Sequence, residues 1–188
     1  MDTGDFKNGL YFKFNGHPCC LIYFQHVKPG KGPAFVKSRF RDLESGKILE
    51  NTFTAGEKIE PVLVERRPYQ FLYKDATGYN FMHSETFEQI SIPEEMVPNP
   101  DLLKEGQEVE MMYLPEEDRP LTCELPTYVE LTVTYTEPAV KGNTASTNAL
   151  KEATLETGAI IMVPLFIQQG ELISVNTVDR SYGERVKK

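Results

Sequence analysis

Val129-Glu130-Leu131-Thr132-Val133-Thr134-Tyr135-Thr136 sets Val129, Leu131, Val133 and Tyr135 on one face of an extended chain and Glu130, Thr132, Thr134 and Thr136 on the other. Successive side chains of a strand point to opposite faces, so this period of two marks a half-buried β-strand. Downstream, a Gly/Asn/Thr loop at Lys141–Asn148 leads to Ala159–Ile167, and Gln169-Gly170 turns that run into Leu172–Val175. Upstream lie Val109–Leu114, Tyr69–Tyr73 and Tyr79–Met82, the last two joined by Asp75-Ala76-Thr77-Gly78 as a hairpin. Nearer the N-terminus, Asn8-Gly9 and Asn15-Gly16 bracket Leu10–Phe14 before the apolar run Leu21–Phe24. Helix is scarce: only Pro93–Val97 and Asp101–Gly106 read as single turns.

Successive sets of short strands, about 60 residues each, predict an all-β chain of three small β-barrels over residues 1–64, 65–127 and 128–188. Closing each sheet protects its edges, and each small core gains stability from its neighbours. No repeat recurs at a fixed period, so any likeness between the second and third segments would be structural. A single large β-sandwich is the competing architecture.

Charge supports the division. Residues 1–64 hold 9 Lys and Arg against 7 Asp and Glu, residues 65–127 hold 5 against 14, and residues 128–188 hold 6 against 7, within a net charge of -8. A uniformly basic nucleic-acid coat is excluded. Yet Lys28–Arg41 carries Lys28, Lys31, Lys37, Arg39 and Arg41 with no acidic residue. An acidic body with a basic tip suits selective docking on an anionic target through a few shaped contacts.

That tip is Val27-Lys28-Pro29-Gly30-Lys31-Gly32-Pro33-Ala34-Phe35-Val36-Lys37. It reads as a hairpin presenting Lys31, with Pro29 and Pro33 limiting the conformations lost on binding and Gly30 and Gly32 letting backbone approach another surface. A solvated β-turn is the plainer reading. After it, Lys37, Arg39 and Arg41 share a face with Phe35, opposite Val36, Ser38 and Phe40, and can line the hairpin stem. Lys28, Lys37 and Arg39 are therefore candidate RNA contacts.

Enzyme chemistry finds no support. Gly30-Lys31-Gly32 lacks the glycine spacing and the following Ser or Thr of a phosphate loop, and Phe35 stands where a dinucleotide fingerprint needs its third glycine. His17, His26 and His83 have no i,i+4 partner and read as turn or strand residues. Three cysteines, Cys19, Cys20 and Cys123, give neither a disulfide framework nor a metal spacing, and fit a reducing compartment. His17-Pro18-Cys19-Cys20 reads as packing rather than a metal site. No metal and no cofactor are expected. Asp2 and Asp5 precede any apolar run and no 18-residue apolar stretch occurs, so neither export nor membrane insertion is indicated.

The Lys31 loop resembles that of the bacterial elongation factor P family. So do Asn80–Gln89, and the stretch Glu137–Ala145 continuing through Ala153–Ala159 to Val163–Glu171, three separated matches in order. The resemblance implies an SH3-like, KOW-type barrel followed by two OB-folds, arranged in an L with an outline similar to tRNA. It implies a monomeric, cytoplasmic, non-catalytic elongation factor. Such a factor binds both ribosomal subunits between the P and E sites, beside peptidyl-tRNA, and relieves stalling at consecutive prolines. Proline is a poor peptidyl donor and acceptor, and a lysine steadying the CCA end would keep the reacting groups aligned.

On that resemblance Lys31 matches the tip lysine, a CCA-end contact and a modification site for a lysine-modifying enzyme, with Pro29, Gly30, Gly32 and Pro33 shaping its loop. Tyr182 and Arg185 match C-terminal positions that contact tRNA or the small subunit; alone they read as a barrel-end tyrosine and a surface arginine. Gly142-Asn143-Thr144 matches a loop that commonly carries Asp at its centre, so Asn143 removes a carboxylate. Pro33 is a second departure, since members with a modified lysine often carry a less rigid residue there. Lysine rather than arginine at 31 counts against the rhamnosylated branch. A general RNA-binding OB or KOW protein outside elongation is the alternative, and a modified-lysine carrier domain of an enzyme a third.

Overall fold

The computed structural model describes residues 1–138 and 149–187. The first sheet is built from β1 (Tyr11–Phe14), β2 (His17–Val27), β3 (Phe35–Asp42), β4 (Ile48–Thr54) and β5 (Glu60–Pro61), in the order β4-β3-β2-β1-β5. Asn15 and Gly16, with φ of 52° and 87°, form the two-residue turn joining β1 to β2, the left-handed pair that matches strand twist.

A second sheet holds β6 (Glu65–Asp75), β7 (Gly78–His83), β8 (Gln89–Ile92), β9 (Glu108–Leu114) and β10 (Arg119–Glu124), ordered β10-β9-β6-β7-β8. The third holds β11 (Tyr128–Thr136), β12 (Leu150–Leu155), β13 (Ile160–Pro164), β14 (Leu172–Asn176) and β15 (Tyr182–Arg185), ordered β13-β12-β11-β14-β15. Numbered within each set, both read 3-2-1-4-5, so the likeness between these segments lies in topology. The outer strands β13 and β15 of the third sheet lie against one another, as in an OB-type barrel. Among the described residues the remaining regular elements are 3-10 turns at Thr3–Asp5, Glu94–Met96 and Pro100–Leu102.

One expectation fails within β11. Val129, Leu131 and Val133 are buried, but Tyr135 is 58% exposed and Thr136 is buried instead. Val133 stands opposite Leu155 and Tyr135 opposite Thr154, so Thr134 is an extra residue in the ladder. A bulge of this kind flips every later side chain to the other face.

The chain forms two compact units, one of Met1–Arg67, Ile92–Pro98 and Met111–Cys123, the other of Pro68–Ser91, Asn99–Glu110 and Glu124–Lys188. In the first, Phe6, Phe12, Phe40 and Phe53 form an aromatic core with Leu21 and Val36. Phe12 and Phe40 meet edge to face at 5.2 Å. Truncating so buried a ring costs about 3–5 kcal/mol. A second apolar cluster in the same unit packs Leu43, Tyr11, Cys20, Val62 and Val64 with Met112, Leu114 and Leu121. In the other unit Val129, Leu131, Val133, Leu155, Ile161, Val163, Ile173 and Val175 enclose the core, and Leu102 joins them.

Candidate nucleic-acid interface

Strands β2 and β3 pair from Cys19 opposite Asp42 out to Val27 opposite Phe35, with a register shift at Ile22. Val36 and Phe40 are fully buried and root the hairpin in the Phe core. The loop Lys28–Ala34 begins where pairing stops, and Ala55 N donates to Ala34 O at 3.0 Å to fix its far end. Lys28, Pro29, Gly30, Lys31, Gly32 and Pro33 are all exposed.

Gly32 has φ +98°, a conformation an L side chain rarely adopts, so glycine is required for the chain path. A Cβ on either Gly30 or Gly32 would meet no atom within 4 Å. No internal crowding selects Gly30, and a bare backbone there leaves room for something outside the chain. Among the described residues Lys31 makes no hydrogen bond or ion pair. Its ammonium is uncommitted, at the end of a strand pair anchored in a rigid core.

Along the stem, Lys37 and Arg39 are exposed while Val36, Ser38 and Phe40 are buried, as the alternation predicts. Tyr23 stands opposite Arg39, and Glu50 flanks Arg39 from the other side. These residues line an open depression of about 760 Å³ with Gln25, Lys37 and Thr52. Tyr23 was not legible as part of this surface, because the bulge at Ile22 decides which way the tyrosine faces. Its 48% exposure beside two cations suits stacking on a base whose phosphates the cations hold.

Tyr182 and Arg185 lie on β15, in the other unit. Tyr182 packs against the C-terminal core, with the Phe166 ring edge-on at 6.5 Å, and partial burial raises its phenol pKa. Arg185 donates from Nη1 to Glu171 Oε1 at 3.1 Å, so any phosphate must share it. Between them, a Cβ on Gly183 would press on Ser174 O at 3.2 Å, which explains glycine there. Gly142, Asn143 and Thr144 lie outside the described residues.

Two polar braces were not anticipated. Arg180 grips Asp101 through Nη1 at 2.7 Å and Nη2 at 2.5 Å, and that pairing holds the Asp101 carboxyl below the ordinary carboxylate value. Asn99, itself in the left-handed region, donates to Thr177 O at 2.7 Å beside it. In the first unit Glu44 accepts from His17 Nδ1 at 2.7 Å and from Arg119 Nη2 at 2.6 Å. The His17 hydrogen bond lowers the Glu44 pKa, and Glu44 in turn raises that of His17. Nothing in linear spacing joins residues 44 and 119. Near this brace, ligand atoms of His17, Asp42 and Glu44 lie within 4.8 Å of one another. Cys19 is buried within the barrel, and desolvation pushes its thiol to about 12, which fits packing rather than reactivity.

Comparison with known proteins agrees with this geometry. The elongation factor P (EF-P) KOW-like domain matches residues 2–59, the EF-P OB domain matches 64–122, and the elongation factor P C-terminal domain matches 129–185. The chain belongs to the elongation factor P family. Elongation factor P 1 of Porphyromonas gingivalis is 55% identical over 185 residues, covering 98% of each chain. Elongation factor P of Flavobacterium johnsoniae is 53% identical with the same coverage. The fold is also similar to a solved structure of eukaryotic translation initiation factor 5A from Methanococcus jannaschii. That match has a TM-score of 0.50 and 24% identity over 67% of this chain and 90% of the other. As an elongation factor P family member the chain is a non-catalytic translation factor acting on the ribosome and peptidyl-tRNA. No helix among the described residues is long and apolar enough to cross a membrane.

Proposed function

We propose that Lys31 acts at the CCA end of peptidyl-tRNA, placing a cation beside its phosphates so that a poorly reactive prolyl group stays aligned during peptide-bond formation. The supporting observation is the uncommitted Lys31 ammonium on an exposed loop whose stem is locked into the Phe core. Positioning of this kind lowers the barrier by holding reactants in line, and the chemistry stays with the ribosome. Lys28, Lys37 and Arg39 contact phosphates along the stem, and Pro29, Gly30, Gly32 and Pro33 keep the loop preorganised. Tyr182, Arg185 and the Gly142-Asn143-Thr144 loop contact RNA away from the reacting ends.

In this reading the factor works in the cytoplasm as a monomer of three domains, 1–64, 65–127 and 128–188, bound to both subunits between the P and E sites. Lys31 functions without modification, because Pro29 and Pro33 already stiffen its loop. Intact mass of protein from its own cells should show no increment on the Lys31 peptide; an increment contradicts that point.

Binding distinguishes this reading from general RNA binding. The protein should co-sediment with 70S ribosomes and show little affinity for free single-stranded RNA. Tight binding to free RNA that falls steeply with salt, with no preference for ribosomes, would contradict it.

A further inference from the structure

Phe87 sits in the turn between β7 and β8 with φ +61° and 68% exposure. A bulky aromatic residue in the left-handed region is a genuine outlier, since Gly or Asn adopts that conformation more readily. The turn is firmly fixed. His83 N donates to Glu88 O at 2.8 Å and Phe87 N to His83 O at 3.0 Å. His83 Nδ1 accepts from the amides of Glu85 and Thr86 at 3.1 and 3.2 Å, and the Tyr69 ring holds the imidazole at 4.9 Å. The Phe87 ring has no aromatic partner among the described residues. Strain is thus carried at a position where the side chain contributes little to internal packing, a combination found where a surface is built for contact.

The surroundings state what that contact is. Glu85 and Glu88 lie on either side of Phe87 along the turn and are exposed. Within Pro68–Ser91 the only Lys or Arg is Lys74, whose ammonium lies 4.9 Å from the Tyr79 ring centroid, and the His83 imidazole accepts backbone amides through Nδ1. Paired carboxylates around an aromatic tip repel nucleic-acid phosphates and attract a cationic surface. An exposed ring carried on a hydrogen-bonded turn, with few rotatable bonds to immobilise, suits the aromatic anchor of a protein interface.

We propose that the Phe87 turn docks onto a basic protein surface of the ribosome, the ring entering an apolar recess while Glu85 and Glu88 face lysines or arginines at its rim. This rests on the ribosome-binding reading above. It assigns the acidic middle segment a protein contact, separate from the RNA contacts of the Lys31 hairpin.

The test uses the full chain and purified 70S ribosomes. Phe87→Asn should keep the thermal midpoint within a few degrees, because Asn tolerates the left-handed conformation and a ring 68% exposed contributes little to the core. It should weaken ribosome binding about tenfold. With p-benzoylphenylalanine at position 87, irradiation of the complex should crosslink a basic ribosomal protein. Equal binding by wild type and Phe87→Asn, crosslinking to ribosomal RNA alone, or no crosslink from a bound factor would each overturn the proposal. A wild-type chain that fails to bind ribosomes would overturn the underlying reading as well, and is distinguished by the same assay.

Discussion

Val27 stands directly opposite Phe35, the last pair of β2 and β3, and this pairing sets both the start and the reach of the Lys28–Ala34 loop. Beyond it the chain is held by proline rings, by Gly32 in its left-handed conformation and by one hydrogen bond at Ala34. The loop is restrained at both ends and bare at Gly30 and Gly32.

Gly32→Ala tests the aim. The new methyl meets no atom within 4 Å, so the cost is confined to forcing a Cβ into φ +98°, about 1 kcal/mol. A chain of this size would lose about 2–4 °C of thermal midpoint if the strain is kept. A loop that relaxes instead redirects Lys31, and translation through consecutive prolines should fall well below wild type. Full rescue by this variant would show that loop conformation is unimportant.

Arg180→Ala should lower the thermal midpoint by a few degrees at pH 7. Side chains of Arg180 and Asp101 are 36% and 40% exposed, so solvent screening limits the pair to about 1 kcal/mol or less. The folded Asp101 pKa lies below 3.8, so its contribution is present above that value and disappears as pH falls through the folded one. The gap between wild type and variant should close in strong acid. A gap that persists unchanged at pH 2 contradicts this assignment.

His17 has the opposite sign. Its pKa is raised above 6.5 by Glu44, so its contribution is complete below 6.5 and is lost as pH rises through the folded value. Glu44, lowered from 4.5, contributes above that value and loses it in acid. Urea unfolding of His17→Gln should give a flatter stability profile than wild type on the alkaline side of pH 6.5. Parallel profiles would remove the hydrogen bond as a source of pH dependence.

The barrels were legible because burial follows a period of two in Phe35–Asp42 and the first half of β11. Turn chemistry was equally plain at Asn15-Gly16. Tyr135 was misplaced because a bulge depends on how a partner strand packs, and no local pattern marks Thr134 as the extra residue. For the site, the exposed loop and its cations could be read from composition. Tyr23, the Glu44–Arg119 contact and the Asp101–Arg180 grip could not, since each depends on residues brought together only by folding.

On the proposed role of Arg185 in RNA contact, Arg185→Ala should weaken ribosome binding more than it reduces rescue at saturating factor, because such a contact would position the body and not the reacting ends. Tyr182→Phe keeps the ring packed against the C-terminal core and removes only the hydroxyl, separating contact from stability. Filtration binding equal to wild type for both would remove these residues from the interface.

The most direct measurement is Lys31→Ala in reconstituted translation of a Pro-Pro-Pro message, with ribosome binding followed in parallel. Lys31 makes no described contact within the chain, so the variant should fold and bind ribosomes nearly as wild type. Its rescue of stalled synthesis should be lost. Wild-type rescue by the alanine variant would contradict the central role of the lysine, and complete loss of ribosome binding would make Lys31 a docking contact instead.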